Sequence, residues 1–422
     1  MRTANSIVVY EHESLKADNI RLTTDQLKSL QAYYGEKGVP FFSLIHNGVK
    51  FNEYVGVIQV GNTTIEVLPK ADKQADEATW RTMLISMLKA TGIFEVRATS
   101  SSSLKLRANS ILDLYFELFL SELEGLLHRG LVKKYRTDEG NCKTLKGSIL
   151  FPKHLRQNVL HKERFYVRHT AYDVHHQLHE ILYKALKLVQ RINTNPLLFS
   201  RAATLSLWFP EMDDIRVSES TFTRLHYDRK TEPYRKSMEI ARLLLLNFHP
   251  DLSRGSNHVL ALMFDMNLLW ERFIYISLFR EFAKTHPSFH VHPQARKRFW
   301  KPEMGYTASI RPDIVVETDG HECVVLDTKW KNLQGQRPAD DDLKQLFVYH
   351  KYFTANKVAL VYPGEFATVK GNYFDPDGNE APEKCSLIGI SVQHDVGKWQ
   401  KEIGENISSW MQSTSKQPIQ QS

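Results

Sequence analysis

The chain has 422 residues, of which 42% are hydrophobic and 24% charged, a composition that excludes a disordered chain and, at roughly 100–200 residues per domain, a single ordinary core. The net charge of +7 suits a polyanionic partner, because lysines and arginines that neutralise phosphates release counterions, but charge alone identifies none. Three well-separated cysteines, Cys142, Cys323 and Cys385, give no disulfide framework or Cys-based zinc motif, and no stretch approaches the ~18 apolar residues of a membrane span, so a cytoplasmic protein is expected.

Residues 1–75 read as a β-rich module. Ser6–Glu11 is rich in strand formers, and Thr23 and Thr24 are caps for a helix over Thr24–Tyr34. Strands are expected over Phe41–His46, Lys50–Val60 and Thr63–Leu68, with hairpin turns at Asn47-Gly48 and Gly61-Asn62; Pro69 ends the module.

Residues 76–250 read as a helical domain. A helix over Glu77–Ala90 precedes a Ser-rich loop at Ser100–Ser103. An amphipathic helix over Ile111–Arg129 then carries Leu112, Tyr115, Phe116, Phe119, Leu123, Leu126 and Leu127 on one side. A second long helix spans Asp173–Ile192. Between them, about residues 131–172, lies a basic stretch with β character that includes Lys133, Lys134, Arg136, Lys143, Lys146, Lys153, Arg156 and Arg168. Two long helices bracketing such an insert make either a stalk with a protruding tip or a helix pair joined by a surface loop. Within it, Gly140-Asn-Cys-Lys-Thr144 lacks the spacing of a phosphate loop and reads as a turn. His175 and His179 have the i, i+4 spacing of a metal pair, but with no Glu placed as in His-Glu-x-x-His they read as a solvated or partly buried cluster. Helices over Pro196–Phe209 and Pro233–Phe248 close this region, and Pro250–His258 reads as a linker.

Residues 259–411 read as a compact α/β unit in the order long helix, strand, strand, helix, strand, followed by a disordered tail at 412–422. Its informative stretch is Arg311–Trp330, two strands joined through Asp319-Gly320. The run Val324-Val325-Leu326 marks a buried strand, which has no use for Asp327 and Lys329 unless they are paired or metal-bound. The period of two puts Asp327 and Lys329 on one face. Asp313 joins them only if it pairs opposite Asp327, which requires a three-residue loop (Asp319-Gly320-His321) or a bulge. Two carboxylates and a lysine so placed suit phosphodiester hydrolysis: the carboxylates hold Mg²⁺ and the ammonium orients water or stabilises the pentavalent phosphate. The competing reading is a surface hairpin whose Asp327 and Lys329 form an ion pair. Upstream, the helical run Phe264–Leu278 contains one acid in its middle, Glu271; downstream, a helix over Asp340–Phe353 places Gln345 and Tyr349 on one face, and Lys357–Tyr362 is another strand. The basic-aromatic run Arg296-Lys-Arg-Phe-Trp-Lys301 reads either as tracking a DNA backbone, with Trp300 packed beneath, or as a solvated strand edge.

The element order, with Glu271, Pro312-Asp313, Asp327-x-Lys329 and Gln345, resembles the PD-(D/E)XK nuclease fold. Phe264-Asp-Met-Asn-Leu-Leu-Trp-Glu-Arg-Phe273, Val55–Gly61 with Ile65–Lys70, and Gly130–Tyr135 with Leu145–Phe151 further resemble the McrC family, the nuclease subunit of McrBC-type modification-dependent restriction systems, over about residues 5 to 395. The resemblance implies an α/β multidomain chain: a β-rich N-terminal module, a helical stalk domain with a β insert, and a C-terminal α/β/α nuclease domain. It implies Asp313 and Asp327 as metal ligands with Glu271 beside them, Lys329 as catalytic lysine and Gln345 as a supporting residue. Mg²⁺, or Mn²⁺ in its place, would be the cofactor. Double-stranded DNA, methylated or otherwise modified, would be the substrate. An McrB-like AAA+ ring that uses GTP would be the partner, its pore receiving the stalk. The rival readings are a non-catalytic adaptor of an AAA+ ring and a restriction nuclease subunit acting on unmodified sequence.

Overall fold

A computed structural model of the chain describes residues 5–18, 20–36, 38–69, 77–91, 111–249, 258–318, 322–331, 333, 337–393 and 395–413. The Ser100–Ser103 loop, nearly all of the linker, the 319–321 turn and residues 414–422 of the tail lie outside these.

The chain opens with β1 (Asn5–Tyr10), β2 (Ser14–Lys16) and α1 (Thr24–Tyr34). Thr23 accepts from Gln26 N at 3.3 Å while the Gln26 side chain accepts from Thr23 N at 2.9 Å, a reciprocal cap that fixes where α1 begins. Then come β3 (Phe42–Ile45), β4 (Gly48–Phe51), β5 (Tyr54–Val60) and β6 (Thr63–Leu68). The single strand expected over Lys50–Val60 is broken at Asn52, whose side-chain amide donates to Pro40 O at 2.8 Å. The break sends β4 into a three-stranded sheet, β2-β4-β3, and β5 into a larger one. The first hairpin turns at His46-Asn47 rather than at Asn47-Gly48, with Asn47 in the left-handed region at φ 53°.

Two helices, α2 (Glu77–Ala90) and α3 (Ile111–Arg129), follow, then β7 (Lys134–Cys142), β8 (Ser148–Ile149), α4 (Phe151–Asn158), β9 (Phe165–Asp173) and α5 (Gln177–Ile192). The basic insert is therefore folded: β7-β9-β8 form a sheet on which α4 packs. Gly140–Cys142 is the end of β7, paired to Phe165–Val167, and not the turn expected there. The helix expected from Asp173 starts four residues later because β9 runs to Asp173, whose carboxylate holds Arg136 at 3.1 Å. His179 is buried; its ring contacts Val174 O at 2.6 Å and Tyr234 Oη at 2.9 Å, and burial lowers its pKa to about 4. It is a core residue.

After α6 (Pro196–Trp208), α7 (Glu219–Thr223), α8 (Arg235–Leu246) and β10 (Phe248–His249) comes β11 (Val259–Asp265). The third unit was expected to begin here, yet β11 pairs antiparallel with β5, completing the sheet β1-β6-β5-β11-β10. The chain then enters α9 (Met266–Thr285), capped by Asp265, which accepts from Asn267 N at 2.8 Å. Gly56 makes this seam, facing Met263 with φ 139°; a Cβ there would stand 2.1 Å from Leu262 O.

The last region contains β12 (Phe289–Pro293), β13 (Lys297–Trp300), β14 (Ala308–Ile310), β15 (Ile314–Thr318), β16 (Cys323–Thr328), α10 (Asp340–Phe353), β17 (Lys357–Pro363), β18 (Val369–Phe374), β19 (Glu380–Ile390) and α11 (Val396–Gln412). Gln412, expected to open the tail, ends α11. The main sheet is mixed, in the order β12-β15-β16-β17-β19-β18, and β13-β14 form a separate hairpin. Alternation along the strands sorts two cores. Val316, Val324, Leu326 and Val361 join Trp270, Phe273 and Trp399 of α9 and α11, whereas Val315, Val325, Val358 and Leu360 join Leu346, Tyr349 and Phe353 of α10. The sheet is thus covered by helices on both faces. Each buried Leu, Val or Phe contributes roughly 1.5–3 kcal/mol there.

Gly56→Ala is expected to destabilise the protein by about 3 kcal/mol, since the left-handed φ and the clash with Leu262 O act together. Urea unfolding of the variant checks this; a midpoint equal to wild type contradicts the seam.

Candidate active site

Hairpin register decides whether the charged residues meet. β15 and β16 pair Ile314 with Leu326 and Glu317 with Cys323, and Thr318 N donates to Glu322 O at 3.0 Å. Continued one step, this register sets Asp313 opposite Asp327. The register shift that the sequence demanded is present.

Asp327 lies at the end of β16 and is 1% exposed, on the α10 face with Val325. Lys329 Nζ approaches Asp327 Oδ2 at 2.9 Å and Asp342 Oδ1 at 3.4 Å, and donates to Gln345 Oε1 at 3.5 Å. Gln345 Nε2 in turn donates to Tyr349 Oη at 2.5 Å, and Tyr349 donates to Arg311 O at 3.1 Å. α10 thus supplies a chain of side chains that fixes the ammonium. Asp313 is anchored from the other strand: its Oδ2 accepts from Thr328 N at 2.6 Å and Thr328 Oγ1 at 2.8 Å.

Electrostatics follow from burial. Burial and then repulsion from Asp313 push the Asp327 carboxyl up to about 7, with Lys329 pulling only partly back. Burial also raises Asp313, although the Thr328 donors, Lys329 and Arg311 oppose it. At Lys329 burial favours the neutral amine, yet Asp327, Asp342 and Asp313 together hold the ammonium above its ordinary range. Lys329 stands among three carboxylates.

Glu271 comes from α9. Its Oε1 accepts from Gln294 Nε2 at 2.8 Å, and burial followed by the charge of Asp313 raises its carboxyl. It faces Asp313 electrostatically, but among the described residues no three His, Cys, Asp or Glu side chains are grouped closely enough to hold a metal ion. Glu271, expected as a third metal ligand, has its Oε1 bonded to Gln294 in this structure.

Sequence reading missed several of these partners. Asp342 reads as helix-terminus acid, yet it bridges Lys329 and Lys331, the latter at 2.9 Å. Gln294 carries no motif; it sits at φ 51°, donates its N–H to Asp313 O at 2.9 Å and holds Glu271. Trp330 donates to Glu11 Oε1 at 2.9 Å, tying the chain just after β16 to the residue after β1. No local pattern encodes such contacts. A cavity of about 550 Å³ lined by Glu281, His286, Gly404 and Ser408 lies between α9 and α11 and includes none of the site residues.

In metal-free protein the Asp327 contribution to stability should fall as pH rises from about 4 to about 7, because the folded carboxyl keeps its proton to about 7 while the unfolded one loses it near 3.8. Asp327→Asn is expected to unfold at higher urea than wild type at pH 8, Lys329 still having Asp342. A less stable variant at pH 8 contradicts the repulsion described here.

Comparison with known proteins bears on this arrangement. The family model described as McrBC 5-methylcytosine restriction system component matches residues 49–363. No curated protein matches the chain. Among solved structures, a chain in a refined half-complex from the tetradecameric assembly of Thermococcus gammatolerans McrB AAA+ hexamers with bound McrC is 22% identical, covers 96% of this chain and 100% of its own, and superposes with a TM-score of 0.72. A chain in the cryo-EM structure of the Thermococcus gammatolerans McrBC complex is also 22% identical, covering 66% of this chain and 88% of its own at a TM-score of 0.50.

Proposed function

The chain belongs to the McrBC 5-methylcytosine restriction system component family, and from that premise we propose that it is the McrC-like nuclease subunit, a PD-(D/E)XK enzyme that hydrolyses DNA phosphodiesters with Mg²⁺. The observation that carries the proposal is the meeting of Asp313, Asp327 and Lys329 across two strands, with the Lys329 ammonium 2.9 Å from Asp327. An ion pair alone would not explain it, since one lysine shared among Asp327, Asp342 and Asp313 leaves the two strand-end carboxylates raised toward protonation.

The residues present fit a hard divalent cation. Asp327 Oδ2 is buried and accepts no well-directed hydrogen bond despite its ion pair, and both donors are carboxylate oxygens, the ligands Mg²⁺ and Mn²⁺ prefer. Asp313 and Asp327 would hold the ion, which when bound lowers the pKa of a coordinated water and offsets charge on the phosphate. Lys329 orients the attacking water and stabilises negative charge gathering on the phosphoryl oxygens. Gln345, braced by Tyr349, keeps that ammonium aimed at the strand ends, and Thr328 fixes the rotamer of Asp313. Glu271 adds negative charge from the α9 side.

The relative's assembly with McrB AAA+ hexamers supports a similar ring as partner here, one that uses GTP and selects modified double-stranded DNA. A surface suited to it lies on the β7-β9-β8 insert. α4 is inverted: His154 and Asn158 face inward, with Asn158 buried and bonded to Asn141 at 2.6 Å, while Phe151, Leu155 and Val159 at i, i+4 and i+8 are exposed. Leu160, just after them in the chain, is exposed as well. Such a patch on an ordered tip marks a protein contact.

Two outcomes follow. With the AAA+ partner, GTP and Mg²⁺, plasmid cleavage by Asp313→Asn or Lys329→Met is expected to fall by about 10³-fold or more while complex formation is kept; cleavage at the wild-type rate by either variant overturns the assignment. Leu155→Glu combined with Leu160→Glu should weaken partner binding by about tenfold or more without altering the melting temperature; unchanged binding by analytical ultracentrifugation removes the tip from the interface.

A further inference from the structure

The hairpin β13–β14 projects from the site itself. Both of its roots are fastened to site residues: Gln294, two residues before Arg296, holds Glu271 and the Asp313 carbonyl, and Arg311, directly after β14, accepts from Tyr349. One side is pinned to α10, with Lys297 Nζ donating to Tyr352 O at 2.9 Å and lying over the Phe353 ring, and Phe299 meeting Tyr352 edge-on at 5.3 Å. A bulge between Arg298 and Trp300 sets Phe299 and Trp300 together opposite Ala308. Trp300, packed beneath in one of the two readings of this run, is 60% exposed; Met304 and Tyr306 at the turn are 91% and 99% exposed.

Residues 296–311 carry five basic side chains, Arg296, Lys297, Arg298, Lys301 and Arg311, against one acid, Glu303. A two-stranded hairpin that shows water Trp300, Met304 and Tyr306 with this charge is fitted to a polyanion with apolar faces between its charges. We propose that this hairpin is a duplex-DNA wing of the nuclease site: Arg298 and Lys301 meet backbone phosphates, and Trp300 and Tyr306 lie against sugars and base edges in the groove. At no more than about 3.3 Å per residue, the segment from Arg311 to Tyr306 extends at most ~17 Å from the site, the length of about five base pairs at 3.4 Å each. The wing therefore grips the duplex within half a helical turn of the scissile bond and sets its register there. The inference rests on the nuclease reading.

The test uses the full chain carrying Asp327→Asn, in complex with its AAA+ partner, on a duplex with 5-iodouracil at successive positions. Ultraviolet crosslinks are expected at Trp300 or Tyr306, and the crosslinking position should lie within about five base pairs of the cut made by the wild-type complex. In parallel, Arg298→Ala with Lys301→Ala in the otherwise wild-type chain should lower cleavage by about tenfold at low salt, with a shallower salt dependence than wild type and partner stimulation unchanged. Absence of hairpin crosslinks, a cleavage rate equal to wild type, or loss of partner stimulation in place of a cleavage defect each overturns the wing. Failure of the nuclease reading is separate: it shows as no cleavage by the wild-type complex, whether or not the hairpin crosslinks.

Discussion

Two carboxylates held opposite each other at the end of a buried ladder are the constraint around which the C-terminal region is arranged. Groups about 5 Å apart across a ladder repel by about 3 kcal/mol at an effective dielectric constant of ~20. The fold nevertheless aligns Asp313 with Asp327 and provides one ammonium, from Lys329, shared with Asp342. Neither packing nor the ladder needs this arrangement; an apolar pair at the same register would be more stable. The divalent cation proposed above would supply positive charge to these oxygens.

The surroundings hold that charge in place. α10 places Gln345, Tyr349 and Asp342 around Lys329, Thr328 fixes Asp313, and Gln294 in a left-handed conformation restrains Glu271. Strain of that kind, of order 1–3 kcal/mol, persists only where neighbours over-determine it. The N-terminal sheet takes part as well. β11 is built into it, α9 leaves directly from β11, and Glu11 receives the Trp330 indole just beyond Lys329. One apolar core runs from α2, α3, α5 and α8 through to α9 and α11. The helical region and the candidate site are therefore joined by packed side chains.

Where the fold was legible, short-range chemistry set it. The reciprocal Thr23–Gln26 cap placed the start of α1, and Gly61-Asn62 bounded β5 and β6. The acidic turn at Asp340–Asp342 located α10, and the register of β15 with β16 followed from requiring like residues to share a face. Long-range partners were not legible. Nothing in Val259–Asp265 says that it pairs with β5, two hundred residues earlier in the chain, and nothing in Phe151–Asn158 distinguishes a helix with its apolar side outward from a loop. At the candidate site, the strand period puts Asp327 and Lys329 on one face, Asp313 needed the three-residue loop to join them, and Gln345 came from the family resemblance, whereas Asp342, Gln294 and Glu11 act through contacts that no period encodes.

The most direct measurement is anomalous diffraction from crystals of the chain soaked in Mn²⁺. The account predicts a peak in contact with one oxygen each of Asp313 and Asp327, at about 2.1–2.2 Å, that vanishes in Asp313→Asn. A Mn²⁺ peak elsewhere with these carboxylates bare, or the same peak in the variant, would contradict it.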